Sequence, residues 1–264
     1  MDLWLIFSLS GAIAGFLAGL LGIGGGFIVV PVLLFALPLA GIQQQYIAHM
    51  AVGTSLLCIC VTSISSSFSH HKRQAVDWTL FWLISPGLII GAITGSVLAG
   101  YLSGFWLVMF FVIGAFLTAI YLLFDYQPAP HQSSKSAVFV SYGGFTGLVS
   151  ALIGIGGGSV LVPFLVYQGK QMVKAVGTAA ACGFPIALFS AAGYAVAGWK
   201  QTGDMAYSTG YLYWPAFLGI VVFSMLTAPL GAKLAHWLPE KKLKQIFAIF
   251  LLFTGSQILY SYWQ

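Results

Sequence analysis

The chain has 264 residues, of which 59% are hydrophobic and only 6% are charged, and its formal net charge is +5. This composition excludes an ordinary soluble domain and indicates an all-α integral membrane protein in the lipid bilayer, because runs of roughly 18 or more apolar residues recur along the chain. The excess of basic residues reports orientation in the membrane and does not indicate nucleic acid as a partner.

The first predicted element is a hydrophobic segment that a run of glycines interrupts. Residues 3–21 are apolar, the motif Gly-Ile-Gly-Gly-Gly follows at residues 22–26, and a second apolar piece covers residues 27–37. Adjacent glycines cost about 1 kcal/mol each relative to Ala in a helix, so we expect the helix to break there. One helix over both pieces would be about 52 Å long, against a hydrocarbon core of about 30 Å. The sequence therefore predicts a hairpin with the glycines at its tip, either re-entrant or barely crossing.

Three full spans are predicted after this hairpin, at residues 46–69, 79–102 and 105–124. A polar, proline-containing segment then divides the chain near its middle. We predict a first membrane repeat over residues 1–126, a linker over residues 127–136 and a second repeat over residues 137–264.

The second half repeats the motifs of the first. Gly-Ile-Gly-Gly-Gly recurs at residues 154–158, at an offset of 132 residues, and in both copies Pro follows after four residues. Ala-Val-Gly-Thr occurs at residues 51–54 and again at residues 175–178. The predicted second-half elements are residues 137–153, 160–167, 175–198, 211–238 and 243–262. Each repeat should hold one broken, Gly-tipped hairpin and three transmembrane helices, which gives about 8–10 membrane segments.

The basic residues indicate how the repeats are oriented. If each hairpin returns to its starting face, nine of the ten Lys and Arg residues lie on one face and Lys200 lies alone on the other, whereas eight full crossings divide them four to six. The positive-inside rule then makes the basic face cytoplasmic and places both termini outside. Equivalent loops of the two halves carry opposite charge signatures, as inverted repeats require. The glycine tips would approach the midplane from opposite faces.

The two glycine tips are the candidate site for an anion. Free N–H groups and the positive end of the helix dipole favour negative charge at a helix N-terminus, and hydroxyl groups of the following spans could add hydrogen bonds. The glycines could instead serve only close helix packing, and the hydroxyls could bond within their own helices. The predicted substrate-binding residues are Gly24, Gly25, Gly26, Thr54, Ser55, Gly156, Gly157, Gly158 and Thr178.

The placement of ionisable residues bears on mechanism. No Asp or Glu falls in the middle of a predicted span, whereas proton-driven carriers commonly have carboxylates there. An exported anion gains about 2.3 kcal/mol per charge per 100 mV of inside-negative potential, so export needs no coupling ion. His49 could carry a proton, although an interfacial histidine is the simpler interpretation. No catalytic motif, cofactor site or metal-ligand spacing is apparent, and Cys58, Cys60 and Cys182 are interpreted as core residues.

These motifs resemble those of the TauE/SafE sulfite-exporter family, also called the toluene sulfonate uptake permease family. The resemblance rests on residues 22–31, 51–55, 154–163 and 175–178, and it covers essentially the whole chain. It implies a multi-pass transporter of the bacterial inner membrane for sulfite, sulfonates or related small anions, which it usually exports. An ion-coupled uptake permease is the alternative. Ala179 stands where the first half has Ser55, so any hydroxyl pair there is asymmetric.

Overall fold

The computed structural model describes residues 3–21, 25–124, 136–203, 205–235 and 240–263. The first-half helices are α1 (Leu3–Leu21), α2 (Gly26–Leu39), α3 (Gln44–Lys72), α4 (Trp78–Tyr101) and α5 (Gly104–Phe124). The second half contains α6 (Ser136–Ile153), α7 (Gly158–Tyr167), α8 (Met172–Gly198), β1 (Ser208–Thr209), β2 (Leu212–Tyr213), α9 (Trp214–Ala235) and α10 (Glu240–Trp263). Of the predicted linker 127–136, only Ser136 lies within the described residues.

The helices confirm the predicted class of all-α membrane protein. Five of them, α3, α4, α5, α6 and α8, are long and apolar enough to cross a membrane. Large apolar side chains face outward along the bundle, among them Phe35, Trp82 and Leu117, each more than half exposed. In a bilayer these side chains meet lipid, which is as apolar as they are.

Both glycine motifs break the chain into helical hairpins. The returning helices α2 and α7 have 14 and 10 residues, or about 21 and 15 Å, which is too short for a core of about 30 Å. The short α2 and α7 therefore fit hairpins that return to their starting face.

Helices α3 and α8 lie together at the centre and run antiparallel. A Cβ added to Gly53 would lie 3.1 Å from Tyr194 Cβ, and one added to Gly183 would lie 3.4 Å from Ser63 Cβ. Moving forward along α3 thus corresponds to moving backward along α8. We call the end where α3 finishes and α8 begins the basic end, and the end beyond α8 the Lys200 end. The basic end carries Lys72, Arg73, Lys170 and Lys174.

The first helix of each half packs on the fourth helix of the other half. Helix α1 runs parallel to α9, since a Cβ on Gly11 would meet the Ile220 backbone and one on Gly15 would meet that of Ser224. Helix α6 runs parallel to α4 through similarly close glycine contacts. Small residues allow this close approach in membranes. The hairpins α1–α2 and α6–α7 consequently start from opposite ends of the molecule, as inverted repeats would require, and the inverted relation itself stays a prediction.

One predicted boundary is wrong. The span expected to begin at Tyr211 begins instead at Trp214, because Ser208 to Tyr213 form a two-stranded hairpin. Tyr207 and Gly210 both have positive φ, which turns the chain tightly before β2. Tyr211 and the following two residues are buried, so their hydropathy resembles that of a membrane helix.

Candidate functional site

The turn between α6 and α7 is buried between the two central helices. A Cβ on Gly156 would lie 3.2 Å from Ile59 Cγ2 of α3, and one on Gly183 of α8 would lie 3.2 Å from Gly156 O. Ile153 and Ile155 on either side of Gly154 are also buried. The second copy of the glycine motif therefore lies in the core of the bundle.

Glycine chemistry shapes this turn. Gly154 and Gly157 have φ of 83° and 77°, a conformation that side chains disfavour. Ser150 O accepts the Gly154 N–H at 2.9 Å and the Ile155 N–H at 3.1 Å, which ends α6. Gly157 O accepts the Val160 and Leu161 N–H groups at 3.1 and 2.8 Å, which begins α7.

The start of α7 leaves backbone donors free. Within the described residues, the N–H groups of Gly156, Gly157, Gly158 and Ser159 make no hydrogen bond. Unpaired N–H groups at a helix N-terminus combine with the helix dipole to favour an anion. The predicted residues Gly156, Gly157 and Gly158 thus lie together around free donors in a buried turn.

Four hydroxyl groups near this turn also lack a partner in the described part of the chain: those of Thr146, Ser150, Ser159 and Ser190. A Cβ on Gly157 would lie 3.3 Å from Ser150 Oγ and 3.2 Å from Thr146 Cγ2. Ser190 lies one helical turn after Ile186, whose side chain also borders Gly157. Membrane serines usually bond back to a carbonyl of their own helix, and these do not.

Sequence reasoning missed these four hydroxyl residues, although a signal was present. At the repeat offset of 132 residues, the positions of Thr146, Ser150 and Ser159 correspond to Ala14, Ala18 and Phe27. The second hairpin is therefore polar where the first is apolar.

The start of α2, at the end of the first glycine motif, packs directly against the second turn. A Cβ on Gly26 would lie 2.5 Å from Gly154 O and 3.0 Å from Ile155 Cα, so the two backbones are in contact. Gly25 precedes α2 with φ −68° and ψ 0°, unlike the left-handed Gly157. The predicted site residue Gly24 lies outside the described residues.

Ser55 is the predicted hydroxyl residue that reaches the second turn. Its Oγ donates a 2.9 Å hydrogen bond to Gly154 O, and the side chain is fully buried. Ser55 thereby ties α3 to the end of α6. Its hydroxyl satisfies a carbonyl and contributes to the shape of the turn.

Thr54 and Thr178 lie at opposite ends of the central helix pair. Thr54 Oγ1 accepts the Tyr213 N–H at 3.0 Å, and Thr178 Oγ1 accepts the Asp77 N–H at 3.0 Å. The antiparallel register of α3 and α8 separates the two threonines by about 22 Å along the helix axis. The structure therefore does not bring Thr54 and Thr178 together around one point.

An ion pair joins two separate loops at the basic end. Lys170 Nζ lies 3.2 Å from Asp77 Oδ2, which joins the segment before α4 to the segment before α8. Burial raises the pKa of Asp77, but the hydrogen bond from the Leu80 N–H and the Lys170 ammonium outweigh it and hold the pKa below its usual range. These contacts place the described basic residues of the two loops at the same end of the bundle, and the assignment of that end to the cytoplasm stays a prediction.

His49 lies near the Lys200 end, close to the start of α3. Its Nε2 is 3.1 Å from both Ala99 O and Leu102 O, and its ring stacks on Tyr211 with centroids 4.7 Å apart. Its Nδ1 has no partner among the described residues. His49 therefore connects the start of α3 to the end of α4 and to the segment before α9.

Comparison with known proteins agrees with this architecture. The family model described as Sulfite exporter TauE/SafE matches residues 7–258. The chain is 34% identical to a probable membrane transporter protein of Haemophilus influenzae, over 92% of this chain and 93% of the relative. It is 31% identical to a probable membrane transporter protein of Methanocaldococcus jannaschii, over 94% and 92% of the two chains.

A third relative, the Bacillus subtilis probable membrane transporter protein YunE, is 28% identical over 95% of both chains. No solved structure gives a significant match. The family model matches nearly the full length, and this match shows that the chain belongs to the TauE/SafE sulfite exporter family.

Proposed function

We propose that this membrane transporter exports sulfite, a small organosulfonate or a related sulfur-containing anion across the bacterial inner membrane. The observation that carries the proposal is the buried turn before α7, where the N–H groups from Gly156 to Ser159 are free among the described residues. In a buried turn such donors are screened little, so they attract an anion more strongly than they would at a surface.

The proposed mechanism is alternating access around the two glycine turns. The pre-α9 segment (residues 211–213) docks on Thr54 near the Lys200 end, and the pre-α4 segment (residues 75–77) docks on Thr178 at the basic end. Both contacts are made in this conformation, and Thr54 and Thr178 are fully buried. Opening toward either face would release one contact while the other stays closed.

Export follows from the electrical driving force. Of the five acidic residues in the sequence, none lies inside α3, α4, α5, α6 or α8. Without an intramembrane carboxylate, coupling to protons lacks its usual group. An inside-negative membrane potential drives an anion out of the cell. The anion gains about 2.3 kcal/mol of free energy per charge for each 100 mV of potential.

Ion-coupled uptake of a small organic anion is the second candidate function, and His49 is the observation that favours it. The imidazole is buried, and its Nδ1 is without a partner in the described residues, so it could accept a proton during transport. Dependence of accumulation on an imposed proton gradient would distinguish this function from export.

A flux screen with purified protein tests the proposal. Proteoliposomes loaded separately with sulfite, sulfate, thiosulfate, taurine, sulfoacetate or acetate are diluted under a defined potential, and efflux is followed against empty liposomes. We expect sulfite or a sulfonate to leave fastest. Transport of acetate alone, or of none of these anions, would contradict the proposed substrate class.

A further inference from the structure

We propose that the anion is bound on one side only, at the turn before α7, by the hydroxyl groups of Thr146, Ser150 and Ser190 together with the free N–H groups. The ligand class is an oxyanion head group with three oxygen atoms, such as sulfite or a sulfonate. This inference rests on the proposed function, because it assigns the residues that select the transported anion.

The first argument is the contact between the two glycine turns. A Cβ on Gly26 would lie 2.5 Å from Gly154 O, so the start of α2 already touches the end of α6 through backbone atoms. An anion placed between these atoms would have to separate them. The start of α2 therefore closes this side of the second turn, and the ligand lies on the α7 side.

The second argument is the distribution of satisfied and unsatisfied groups. Carbonyl groups near the turn are capped, since Ser55 donates to Gly154 O at 2.9 Å and Tyr194 donates to Ala151 O at 3.1 Å. Tyr142 likewise donates to Val160 O at 3.2 Å. These three carbonyl oxygens are thus paired, while the N–H groups from Gly156 to Ser159 have no partner among the described residues. This pattern produces a positive potential that suits an anion and disfavours a cation.

The third argument is the burial of the unpartnered hydroxyl groups. Thr146, Ser150 and Ser190 are 0% exposed, and their oxygen atoms have no partner in the described residues. A buried hydroxyl without a hydrogen bond is unfavourable, and three near one turn indicate a partner that binds and leaves. Ser150 Oγ would be 3.3 Å from a Cβ on Gly157, which aims it into the turn.

Number and direction of donors then select the ligand. Each of the three hydroxyl groups can donate to a different oxygen of a sulfite or sulfonate group, and the N–H groups at the start of α7 can donate to the remaining lone pairs of the same oxygens. A planar carboxylate has two oxygen atoms, so some of the donors would stay without an acceptor. Chloride is spherical and gains little from hydrogen-bond donors in fixed directions. Unused buried donors penalise the smaller ligand, so the site discriminates in favour of three-oxygen head groups.

Binding measurements on single variants test this inference. We would measure the affinity of purified wild type, Thr146→Val, Ser150→Ala and Ser190→Ala for sulfite, methanesulfonate, acetate and chloride, with thermal unfolding of each protein. The matched control is Ser85→Ala, whose hydroxyl in α4 already donates to Phe81 O at 2.6 Å. We expect each of the three variants to weaken sulfite and methanesulfonate binding about tenfold or more, and Ser85→Ala to leave it unchanged.

Unfolding temperatures separate ligand binding from a structural role. Because the three hydroxyl groups make no hydrogen bond within the described residues, their removal should leave the unfolding temperature unchanged or raised. Wild-type affinity in all three variants, or a loss of affinity that accompanies a loss of stability, would overturn the inference while the proposed function stands. Failure of wild type to bind any of the four anions would overturn both.

Discussion

The backbone N–H of Tyr213 donates a 3.0 Å hydrogen bond to Thr54 Oγ1, and this bond ties the start of α9 to the third helix of the other half. The bond from the Asp77 N–H to Thr178 Oγ1 has the same length and the same relation to α4. The repeated Ala-Val-Gly-Thr block thus has a structural role in each half. It docks the segment that leads into the fourth helix of the opposite half.

Replacing Thr54 by Val should destabilise the protein. The change preserves shape but leaves the Tyr213 N–H without an acceptor, which costs about 1–3 kcal/mol when buried. Thr54→Ser should retain most of the wild-type stability, because the serine hydroxyl oxygen can still accept the Tyr213 N–H. Thr254→Val is the control, since the hydroxyl of Thr254 donates within its own helix, to Phe250 O at 2.8 Å. Thermal unfolding in detergent measures the effect, and a stable Thr54→Val protein with weakened sulfite binding would instead place Thr54 on the anion.

Replacing Gly157 should abolish anion binding. A side chain there must adopt φ near 77°, and its Cβ would lie 2.5 Å from Ile186 Cδ1 and 3.3 Å from Ser150 Oγ. Gly41→Ala is a matched control: Gly41 has φ 78°, and nothing lies within 4 Å of an added Cβ. Both Ala variants carry similar backbone strain, of about 1–2 kcal/mol, but only Gly157→Ala obstructs the turn. Equal sulfite flux in well-folded Gly157→Ala and Gly41→Ala would show that Gly157 serves packing alone.

Both termini should lie outside the cytoplasm. The prediction follows from the basic end, whose residues Lys72, Arg73, Lys170 and Lys174 are gathered by the fold on one face. Reporter fusions at Gln132 and Gln264 should report a cytoplasmic linker and a periplasmic C-terminus. A cytoplasmic C-terminus would exclude the inverted-repeat arrangement.

Breaking the ion pair at the basic end should have a small, pH-dependent effect. The pKa of Asp77 is depressed below its usual value of 3.8 in the folded protein, so the pair stabilises the fold above that value and is lost as pH falls through the depressed pKa. Lys170→Met should cost at most about 1 kcal/mol at pH 7, because both groups are partly exposed. Unfolding of Lys170→Met and the control Lys200→Met, measured from pH 7 to pH 3, checks this. A difference from wild type that grew toward pH 3 would contradict it.

Anion flux should follow the membrane potential without an imposed ion gradient. The reason is the absence of Asp and Glu from the interiors of the predicted spans, which leaves export to the electrical force. Efflux of sulfite from liposomes at a series of potassium diffusion potentials, with proton and sodium gradients collapsed, measures this dependence. A strict requirement for either gradient at fixed potential would direct attention to His49 as a proton carrier.

The sequence predicted the hairpins well because their cause is local. Three adjacent glycines oppose a continuous helix wherever they occur, and the pieces on either side of residues 154–158 are too long together for one span. The start of α9 was not predictable in the same way. Residues 211–213 are buried against α3 and have large, mostly apolar side chains. Hydropathy alone does not distinguish such a buried strand from the first turn of a membrane helix.

The roles of the hydroxyl residues depend on contacts that are distant in sequence. Thr54 and Tyr213 are 159 positions apart, and Thr178 and Asp77 are 101 apart, so no local pattern relates them. Their partners are backbone N–H groups, which carry no residue identity. Ser150 could not be assigned from the sequence for a different reason. Only the fold shows that its hydroxyl points into the turn and has no hydrogen bond within the described residues.

The exchanged packing of α1 on α9 has a consequence for how the protein is made. Helix α1 is complete at Leu21, but its partner begins at Trp214, so at about 5–20 residues per second a ribosome needs about 10–40 s to supply it. During that interval Gly11 and Gly15 have no α9 backbone to pack against. During the same interval the Ala12 carbonyl lacks the Thr227 hydroxyl, which donates to it at 2.7 Å in the folded protein. The two halves therefore mature as one unit, and α1 completes its packing only after α9 has been synthesised.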